Sequence, residues 1–364
     1  MIKVLHFCSD TNIGGAGITL FRLLQSSDKS KFEHYVALPK GSLVSSYAEM
    51  TGVTVVFYSS APNRSFSFGA VFEFKRLIKH LSPDIVHTHG AFSARIAAAL
   101  CGVRSRIYTR HTYSEKKYSL ISQFVNNIIT TKAVAVNEVL VDQMVNSGIN
   151  KNKIVVIENG CDSFLCDDSV DFRSNQKKDT FNILYHGRIV KEKGLDVAVT
   201  AISKLVFPDS GLKLIIVGEG EYKEELIKTV AKLSISDKVE FVPFTRDVRE
   251  LFHRADAVIN CSINAEGTSN SLIEAMSAAK PIIASNIGGN KNLVSHEQNG
   301  LLFSSNDIDS FCMCMSRLLK EKDLYQKLSE GAFFTYKKRF TLDKMNNGYE
   351  NLWKEEYKRY YEGE

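Results

Sequence analysis

The sequence predicts an α/β fold with two Rossmann-like, doubly wound domains, each built on a parallel sheet. Three observations support this prediction. The chain has 364 residues, which is too long for one ordinary domain and suits two. Short apolar runs alternate with helical stretches, a pattern typical of parallel sheets covered by helices on both faces. The alternation lapses once, over Asp162–Thr180, and then restarts.

The first half of the chain contains a series of short, β-rich runs separated by helix-like segments such as Gly17–Gln25, Ser93–Cys101 and Val139–Ser147. The runs predicted as strands are Lys3–Cys8, His34–Leu38, Val53–Tyr58, Ile85–His87, Arg106–Thr109, Ala133–Val136 and Ile154–Ile157. Residues 1–165 are therefore predicted to form the first domain.

The second half repeats the pattern after a segment rich in Asp, Ser, Asn and Lys that predicts a linker. Its predicted strands are Asn182–His186, Lys213–Val217, Glu240–Val242, Ala257–Asn260, Pro281–Ala284 and Leu301–Phe303. Residues 178–341 are predicted to form the second domain, with a ligand site expected between the two. Residues 342–364 are predicted to form a terminal helix that packs back on the first domain, because its apolar residues recur at helical spacing.

The composition, with 44% hydrophobic and 24% charged residues, is that of a globular protein. No run approaches the ~18 apolar residues that a membrane-spanning helix needs. The opening residues Ile2–Phe7 read as a strand and not as a signal peptide. Seven cysteines, an odd number without a C-x-x-C pair, suit a reducing compartment. We therefore expect a cytoplasmic protein.

The whole net charge of +5 lies in the first 168 residues and is concentrated between Arg64 and Lys117. This stretch is interpreted either as a solvated face or as a surface for anionic lipid or a pyrophosphate-bearing molecule. Nucleic acid is not an expected partner, because no recognised binding motif accompanies the charge. Phe66 and Phe68, beside the stretch, are expected either to dip into a membrane interface or to join the core.

The segment Asn260–Met276 combines a buried strand, a polar loop and a helix predicted to start near Ser269 or Asn270. Glu266 precedes this helix and Glu274 lies in its first turns. In one interpretation Glu266 caps the helix and Glu274 complements its dipole. In the other, the two carboxylates bind vicinal hydroxyls of a sugar or ribose, while free backbone N–H groups bind phosphate.

A basic loop, His186–Gly194, follows a predicted strand and opens a helix. It is either a charged surface turn or a diphosphate site formed by Arg188 as a planar fork and Lys193 as a point charge. Glycines in Val217–Gly220 are interpreted as turn chemistry. After the first strand, Gly14 and Gly15 would let the backbone approach a phosphate, although their spacing is not that of the dinucleotide fingerprint.

Three histidines stand near predicted strand ends. His87 and His89 are expected to hold a loop of the binding cleft. No metal site is expected there, because no carboxylate and histidine follow them at ligand spacing. His111, after the next strand, is expected either to contact a sugar hydroxyl or phosphate, or to be satisfied within its own loop.

Together these residues resemble the family 4 glycosyltransferases of the GT-B fold, in which two Rossmann-like domains face each other across a cleft. The resemblance covers essentially the whole chain. Glu266 and Glu274 match the Glu-x7-Glu element of the family, and Arg188 and Lys193 match its basic loop. Further matches in the family's order are Gly14-Gly15, Asn159-Gly160-Cys161-Asp162, Gly288-Gly289 and Asn299-Gly300-Leu301.

The resemblance implies a nucleotide-sugar site without a metal. Glu266 would contact the donor sugar, Glu274 the ribose, and Arg188 with Lys193 the diphosphate, while His111 would lie beside the transferred sugar. Arg188, Lys193, Glu266 and His111 would thus be the catalytic groups. The remaining donor contacts would come from Gly14, Gly15, Gly187, Phe244, Gly267, Ser271 and Leu272.

It also implies retaining transfer of a hexose or N-acetylhexosamine from a UDP-sugar, in preference to a GDP-sugar, with no cofactor besides that co-substrate. The leaving phosphate would take the acceptor's proton during front-face attack. The first domain would bind the acceptor and the second the nucleotide sugar. The expected acceptor is a polyprenyl-diphosphate-linked saccharide or another precursor of lipopolysaccharide or capsule, met at the inner membrane face through the basic stretch Arg64–Lys117.

The chain departs from the family at one point. After Glu266 the family pattern is glycine, an aromatic residue and glycine, whereas this chain has Gly267-Thr268-Ser269-Asn270-Ser271. The change is expected to stiffen the loop and to alter contacts with the donor sugar. Two alternatives stay open: a transferase for a soluble small-molecule acceptor, and an inactive nucleotide-sugar-binding subunit. A nicotinamide dehydrogenase is disfavoured, because its phosphate fingerprint is missing.

Overall fold

The computed structural model describes residues 1–9, 11, 14–60, 66–114, 117–165, 180–205, 211–264 and 267–363. Arg64, Lys116, Glu266 and most of the predicted linker lie outside the described residues. The chain divides into two compact units, the first comprising 1–160 with 342–364 and the second comprising 161–341.

The first unit contains one parallel sheet. Its strands are β1 Ile2–Cys8, β2 Phe32–Pro39, β3 Thr54–Tyr58, β4 Ile85–His89, β5 Ser105–Arg110, β6 Lys132–Ala135 and β7 Ile154–Val156. Its helices up to residue 160 are α1 Gly15–Ser26, α2 Ala48–Thr51, α3 Phe68–Leu81, α4 Phe92–Leu100, α5 Leu120–Ile129 and α6 Val139–Asn146. The seven strands pair in the order β3-β2-β1-β4-β5-β6-β7, so the predicted doubly wound sheet is confirmed.

The second unit repeats this architecture. Its strands are β8 Thr180–His186, β9 Gly211–Val217, β10 Val239–Val242, β11 Ala257–Asn260, β12 Ile282–Ser285 and β13 Leu301–Phe303. Its helices are α7 Leu195–Lys204, α8 Lys223–Lys232, α9 Arg249–Arg254, α10 Asn270–Ser277, α11 Asn290–Leu293, α12 Ile308–Lys320 and α13 Lys322–Thr335. The six strands pair in parallel in the order β10-β9-β8-β11-β12-β13, which confirms the second predicted sheet.

Apolar packing on both faces explains why the strands read as continuous apolar runs. Successive residues of a strand point to opposite faces of its sheet. In β8, Ile183 and Leu184 are both fully buried, but they join two different apolar clusters, one on each face. Val258 and Ile259 of β11 divide between the same two clusters. Both faces of the second sheet are therefore covered, as two layers of helices require.

The terminal helix, α14 (Leu342–Tyr357), belongs to the first unit. Its apolar stripe packs into the core below the first sheet, with Met345, Tyr349 and Trp353 almost completely buried. The boundary between the units lies after residue 160, slightly earlier than the predicted 165. Residues just beyond it belong to the second core, since Phe164 stacks edge-on against Phe252 with ring centroids 5.3 Å apart.

The basic stretch between residues 64 and 117 does not form one continuous charged surface. Arg95 and Arg110 are buried, at 3% and 4% exposure. The Arg106 guanidinium is half-buried and donates to the carbonyl oxygens of Val103 and Ile129. These arginines serve the interior of the unit, which the charge pattern could not reveal. Within the described residues, no helix is both long and apolar enough to cross a bilayer.

Candidate nucleotide-sugar site

The strand order of each sheet reverses at one place, between β1 and β4 in the first unit and between β8 and β11 in the second. In doubly wound sheets, ligands bind at such points, beyond the carboxyl ends of the strands. The predicted site residues of the second unit follow the carboxyl ends of its strands: Arg188 follows β8, Phe244 follows β10, and Gly267 follows β11. Phe244 keeps 37% of its surface exposed there.

The basic loop after β8 is held against the segment that follows β11. The N–H of Ile263 donates to the carbonyl oxygen of Glu192 at 2.9 Å. Gly194 has a left-handed backbone with φ +61°, and a Cβ there would lie 2.2 Å from the carbonyl oxygen of Cys261. Only glycine permits this approach. The loop carrying Lys193 is thereby fixed beside the loop that leads to residue 266.

A second backbone contact supports the basic loop from its other side. A Cβ on Gly218 would lie 2.0 Å from the carbonyl oxygen of Gly187. The N–H of Tyr222 donates to the carbonyl oxygen of Ile189 at 3.1 Å. The segment Val217–Gly220, interpreted from the sequence as a turn, therefore also packs against the basic loop. Arg188 remains exposed at the outside of this loop.

The two lysines of the basic loop differ in their surroundings. The Lys191 ammonium lies 2.5 Å from the Tyr222 hydroxyl and 3.2 Å from the Asp196 carboxylate. The hydrogen bond with Tyr222, followed by that with Asp196, raises the pKa of Lys191. Lys191 is thus tied to a structural cluster. Lys193, two residues further on, is half-buried where the loop meets the β11 segment.

Glu274 is buried in α10, at 3% exposure, and its position is fixed by a histidine. Its Oε2 lies 3.1 Å from Nδ1 of His186, the last residue of β8. The hydrogen bond links the two strand–helix elements at the point where the sheet order reverses. Sequence analysis missed this role of His186, although the residue directly precedes Gly187 in the basic loop.

Asn260, at the end of β11, forms a hydrogen bond with the residue that precedes α10. Its amide nitrogen donates to Ser269 Oγ at 3.1 Å, and Ser269 Oγ lies 3.0 Å from Ser271 Oγ. Ser269 is the residue before the helix, yet its side chain makes no capping hydrogen bond to it. Its hydroxyl is thus directed to Asn260 instead of to the first-turn N–H groups, which a cap would satisfy.

The side chain of Leu272 is completely buried in an apolar cluster, so the predicted donor contact would come from its backbone and stays a prediction. It points inward because α10 needs an apolar face against β11 and β12. Its backbone N–H belongs to the first turn of the helix, where no i−4 carbonyl accepts it. Glu266 lies outside the described residues.

In the first unit, α1 begins at Gly15, directly after the β1 loop. Gly14 occupies the N-cap position and provides no side-chain cap. Such a helix start can bind an anion through its backbone N–H groups.

Five histidines lie in or beside neighbouring strands of the first sheet, namely His34 in β2, His6 in β1, His87 and His89 in β4, and His111 directly after β5. The parallel register brings them together, since His6 is the Cα partner of His87. The expectation that His87 and His89 hold a cleft loop is wrong for His87. That residue lies inside the sheet, with Nε2 2.7 Å from the Thr109 hydroxyl, because β4 continues to residue 89.

Hydrogen bonds join four of these histidines into one chain. His34 Nδ1 lies 3.1 Å from His6 Nε2, and His6 Nδ1 lies 3.5 Å from His89 Nε2. His89 Nδ1 then lies 2.9 Å from His111 Nε2. At the opposite end, His34 Nε2 is 3.0 Å from the Ser27 hydroxyl. The chain therefore runs from the start of β2 across β1 and β4 to the end of β5.

The chain has a direction, because a neutral imidazole has one donor and one acceptor nitrogen. The Ser27 hydroxyl donates to the Glu350 carboxylate at 3.4 Å. Ser27 then accepts from His34, and each following ring donates in the same direction. This leaves His111 Nδ1 as an acceptor. That nitrogen is buried and has no hydrogen-bond partner among the described residues, a condition that buried polar atoms rarely keep without a ligand.

Burial keeps these imidazoles neutral. It lowers the pKa of His34 and of His111 to about 4 and that of His87 to about 3. Burial, and then the neighbouring histidines, also lower the pKa values of His6 and His89. A neutral His111 can accept a hydrogen bond from a hydroxyl through Nδ1.

Three of the histidines, His6, His87 and His89, have ligand atoms within 4.8 Å of one another. Sequence spacing did not predict this group, because His6 comes from a different strand. Both ring nitrogens of His6 and of His89 already take part in the histidine chain. His87 bonds Thr109 through Nε2 and accepts from Trp353 at Nδ1. A metal ion would have to displace these partners, and the metal-free site remains a prediction.

The two parallel sheets, the basic loop and the start of α10 define a nucleotide-sugar glycosyltransferase. The family model for glycosyl transferases group 1 matches residues 167–333, and that for glycosyltransferase family 4 matches residues 13–163. The chain belongs to the family 4 glycosyltransferases, and the predicted family and enzyme class are confirmed.

Relatives and solved structures agree with this assignment. The chain is 29% identical, over 68% of its length and 70% of the relative, to UDP-Gal:alpha-D-GlcNAc-diphosphoundecaprenol alpha-1,3-galactosyltransferase of Escherichia coli. It is 23% identical to an uncharacterized glycosyltransferase of Methanocaldococcus jannaschii, over 78% of this chain and 83% of that one. The crystal structure of Anabaena HepE with UDP superposes with a TM-score of 0.83 at 20% identity, over 97% and 100% of the chains. The predicted GT-B fold is confirmed.

Proposed function

We propose that this enzyme transfers a hexose or N-acetylhexosamine, with retention of configuration, from a UDP-sugar to a polyprenyl-diphosphate-linked saccharide. The observation that carries the nucleotide-sugar part is the buried Glu274 carboxylate, held by His186 beside the basic loop and the uncapped start of α10. One carboxylate, two cations and a helix N-terminus fit the ribose and diphosphate of a nucleotide sugar.

Each group has a distinct role in this proposal. Glu274 accepts hydrogen bonds from the ribose hydroxyls, while Glu266 binds the donor sugar. Arg188 and Lys193 hold the diphosphate and offset the charge that develops on it as the glycosidic bond breaks, a task that requires no metal ion. The departing phosphate takes the proton of the acceptor hydroxyl as that hydroxyl bonds to the anomeric carbon from the same face.

His111 contributes a hydrogen-bond acceptor. Its Nδ1, fixed by the histidine chain, accepts from a hydroxyl of the transferred sugar. Of the two contacts expected from the sequence, this one is better supported than donation to phosphate, because a neutral imidazole with an unprotonated Nδ1 cannot donate there. The loop glycines Gly14 and Gly15 and the backbone near Phe244 supply further contacts to the phosphates and the base.

The acceptor and the cellular location are proposed from the name of a relative. The E. coli relative carries a name that specifies a diphosphoundecaprenol-linked acceptor. An enzyme that uses such an acceptor works at the inner membrane face, and we therefore propose a cytoplasmic enzyme with peripheral membrane contact. A transferase for a soluble acceptor is the second candidate.

A donor screen tests the proposal. The purified protein is incubated with UDP- and GDP-sugars, and release of the nucleotide by slow hydrolysis is measured, which needs no acceptor. We expect turnover of one or a few UDP-sugars, and its loss in Arg188→Ala. The active donor is then offered with undecaprenyl-diphosphate-GlcNAc or with a soluble glycoside. No hydrolysis of any donor would contradict the proposed activity, and glycosylation of the soluble glycoside alone would contradict the acceptor.

A further inference from the structure

Helix α5 presents an apolar face to solvent. Leu120, Ile121, Phe124 and Ile128 are 82%, 78%, 68% and 53% exposed. At positions i, i+1, i+4 and i+8 they fall within one stripe along the helix. Four large apolar side chains in one exposed stripe are unusual for a surface helix of a water-soluble unit.

The opposite side of α5, which faces the core, carries a polar anchor. Asn126 is 5% exposed and accepts from the Arg95 guanidinium at 2.7 Å. Its amide nitrogen donates to the carbonyl oxygen of Ser147 at 2.9 Å. These bonds fix the rotation of the helix about its axis. The apolar stripe therefore lies on the outer side of α5, away from the core.

Helix α3, which packs against α4, adds aromatic and basic residues. Phe68 and Phe72, at its start, are 74% and 66% exposed. Arg76 and Lys79 continue the same face one and two turns later and are also exposed. Apolar side chains near one end and cations further along the same face are the arrangement of a helix that enters a lipid interface end-on.

The two surfaces lie at the same edge of the first unit. Both helices follow parallel strands, so both start at the carboxyl edge of the sheet. Aromatic contacts connect them, since the Phe66 ring lies 4.9 Å from Phe68 and 6.4 Å from Phe92, the first residue of α4. Arg95 stacks on Phe92 at 5.2 Å and bonds to α5.

We propose that this lipid-binding face, formed by Phe66, Phe68, Phe72, Leu120, Ile121, Phe124 and Ile128 with Arg76 and Lys79, inserts into the surface of a bilayer that contains anionic lipid. The cations complement anionic headgroups. A second copy of the chain is a poorer occupant, because a symmetric dimer through this face would bring equal patches of positive charge together.

The inference deepens the proposed function, because a lipid-linked acceptor is met only at a membrane. From the sequence, the basic stretch Arg64–Lys117 was expected to contact the membrane, but several of its arginines are buried. The proposed contact surface is instead mainly apolar. Its test needs no catalysis, whereas donor hydrolysis reports on the proposed activity without a membrane. The two can therefore fail separately.

The test is flotation of the full chain with vesicles of phosphatidylethanolamine and about 30% phosphatidylglycerol, compared with phosphatidylcholine vesicles. Phe124→Ser should weaken binding about tenfold, since it removes a buried apolar group at the interface. Phe334→Ser is the matched control, because Phe334 is also 68% exposed but lies in the second unit. Arg76→Glu should reduce binding to the anionic vesicles only.

Donor hydrolysis and thermal melting confirm that each variant is folded. Equal binding by Phe124→Ser and Phe334→Ser would overturn the proposal, as would no binding of the wild type to either kind of vesicle. If the wild type is dimeric by sedimentation and Phe124→Ser is monomeric, the face binds a second copy and the proposal is also wrong. Selective loss of vesicle binding by Phe124→Ser, in a monomeric protein, is the expected result.

Discussion

Mild acid should destabilise the first unit, because its buried histidines are neutral in the folded state and take up protons on unfolding. A histidine in an unfolded chain has a pKa of about 6.5. The folded pKa is lower, so the unfolded state binds more protons and stability falls as the pH drops through about 6.5 towards the folded pKa of about 4 for His34 and His111.

The magnitude follows from the same linkage. Between pH 7.5 and 5.5, each histidine that stays neutral when folded reduces the free energy of unfolding by about 1.4 kcal/mol. His34, His87 and His111 together give about 4 kcal/mol, and His6 and His89 act in the same direction. Typical domain stabilities are about 5–15 kcal/mol, so the first unit loses a large part of its stability.

The chain supplies its own probe for this measurement. Trp353 is the single tryptophan, is fully buried, and lies with its ring centroid 5.0 Å from that of His34. Urea unfolding followed by tryptophan fluorescence at pH 7.5, 6.5 and 5.5 therefore reports on the first unit. His34→Gln should make the pH-dependent loss smaller by about 1.4 kcal/mol. His296→Gln, an exposed histidine of the second unit, should leave it unchanged.

A urea midpoint, measured by tryptophan fluorescence, that stays constant from pH 7.5 to 5.5 would refute the proposed linkage between histidine protonation and stability. The same holds if the two histidine variants show identical pH dependence. If His34→Gln does not fold, His111→Gln serves in its place, because His111 stands at the end of the histidine chain and its removal breaks only one hydrogen bond within it.

Three further predictions concern the proposed site. Glu274→Gln should raise the KM for the donor by about 10- to 100-fold, since a hydrogen bond to a charged group contributes about 1.5–3 kcal/mol; an unchanged KM would remove it from the ribose site. Lys193→Ala should lower kcat about 100-fold. Lys191→Ala should lower kcat little, because Lys191 bonds Tyr222 and Asp196, and equal losses of kcat would argue against a diphosphate role for Lys193. Turnover should continue in EDTA, and a loss that Mg²⁺ restores would contradict the metal-free scheme.

The fold could be predicted because strand and helix periodicity are local properties of the sequence. All the predicted strands appear in the structure, with ends that differ by a residue or two. The extension of β4 to His89 is one example, because alternating polar residues at a strand end look like loop. The prediction that the helix after β11 begins near Ser269 or Asn270 is also confirmed, since α10 starts at Asn270.

The partners of site residues could not be predicted in the same way, because they depend on the register between strands. His186 and Glu274 are 88 residues apart and meet only because β8 and β11 are neighbours in the sheet. Likewise, His6 and His34 carry no motif, and only the pairing of β1 with β2 and β4 places His6 between His34 and His89. Local sequence spacing contains no information about either pairing.

The buried Arg95 shows how one charge can reverse the usual arrangement of a helix. Its guanidinium stacks on Tyr108 at 4.2 Å and donates to Asn126 and Thr130, both at 2.7 Å. Leaving a buried charge without such partners costs about 3–5 kcal/mol, more than burying one additional leucine-sized side chain contributes. Asn126 therefore occupies an inner position of α5 beside the buried Ile129, while Leu120, Ile121, Phe124 and Ile128 face outward. The charge pattern of the sequence assigned Arg95 to the surface, whereas its buried guanidinium holds the polar inner side of α5 and so leaves the apolar stripe on the outer side.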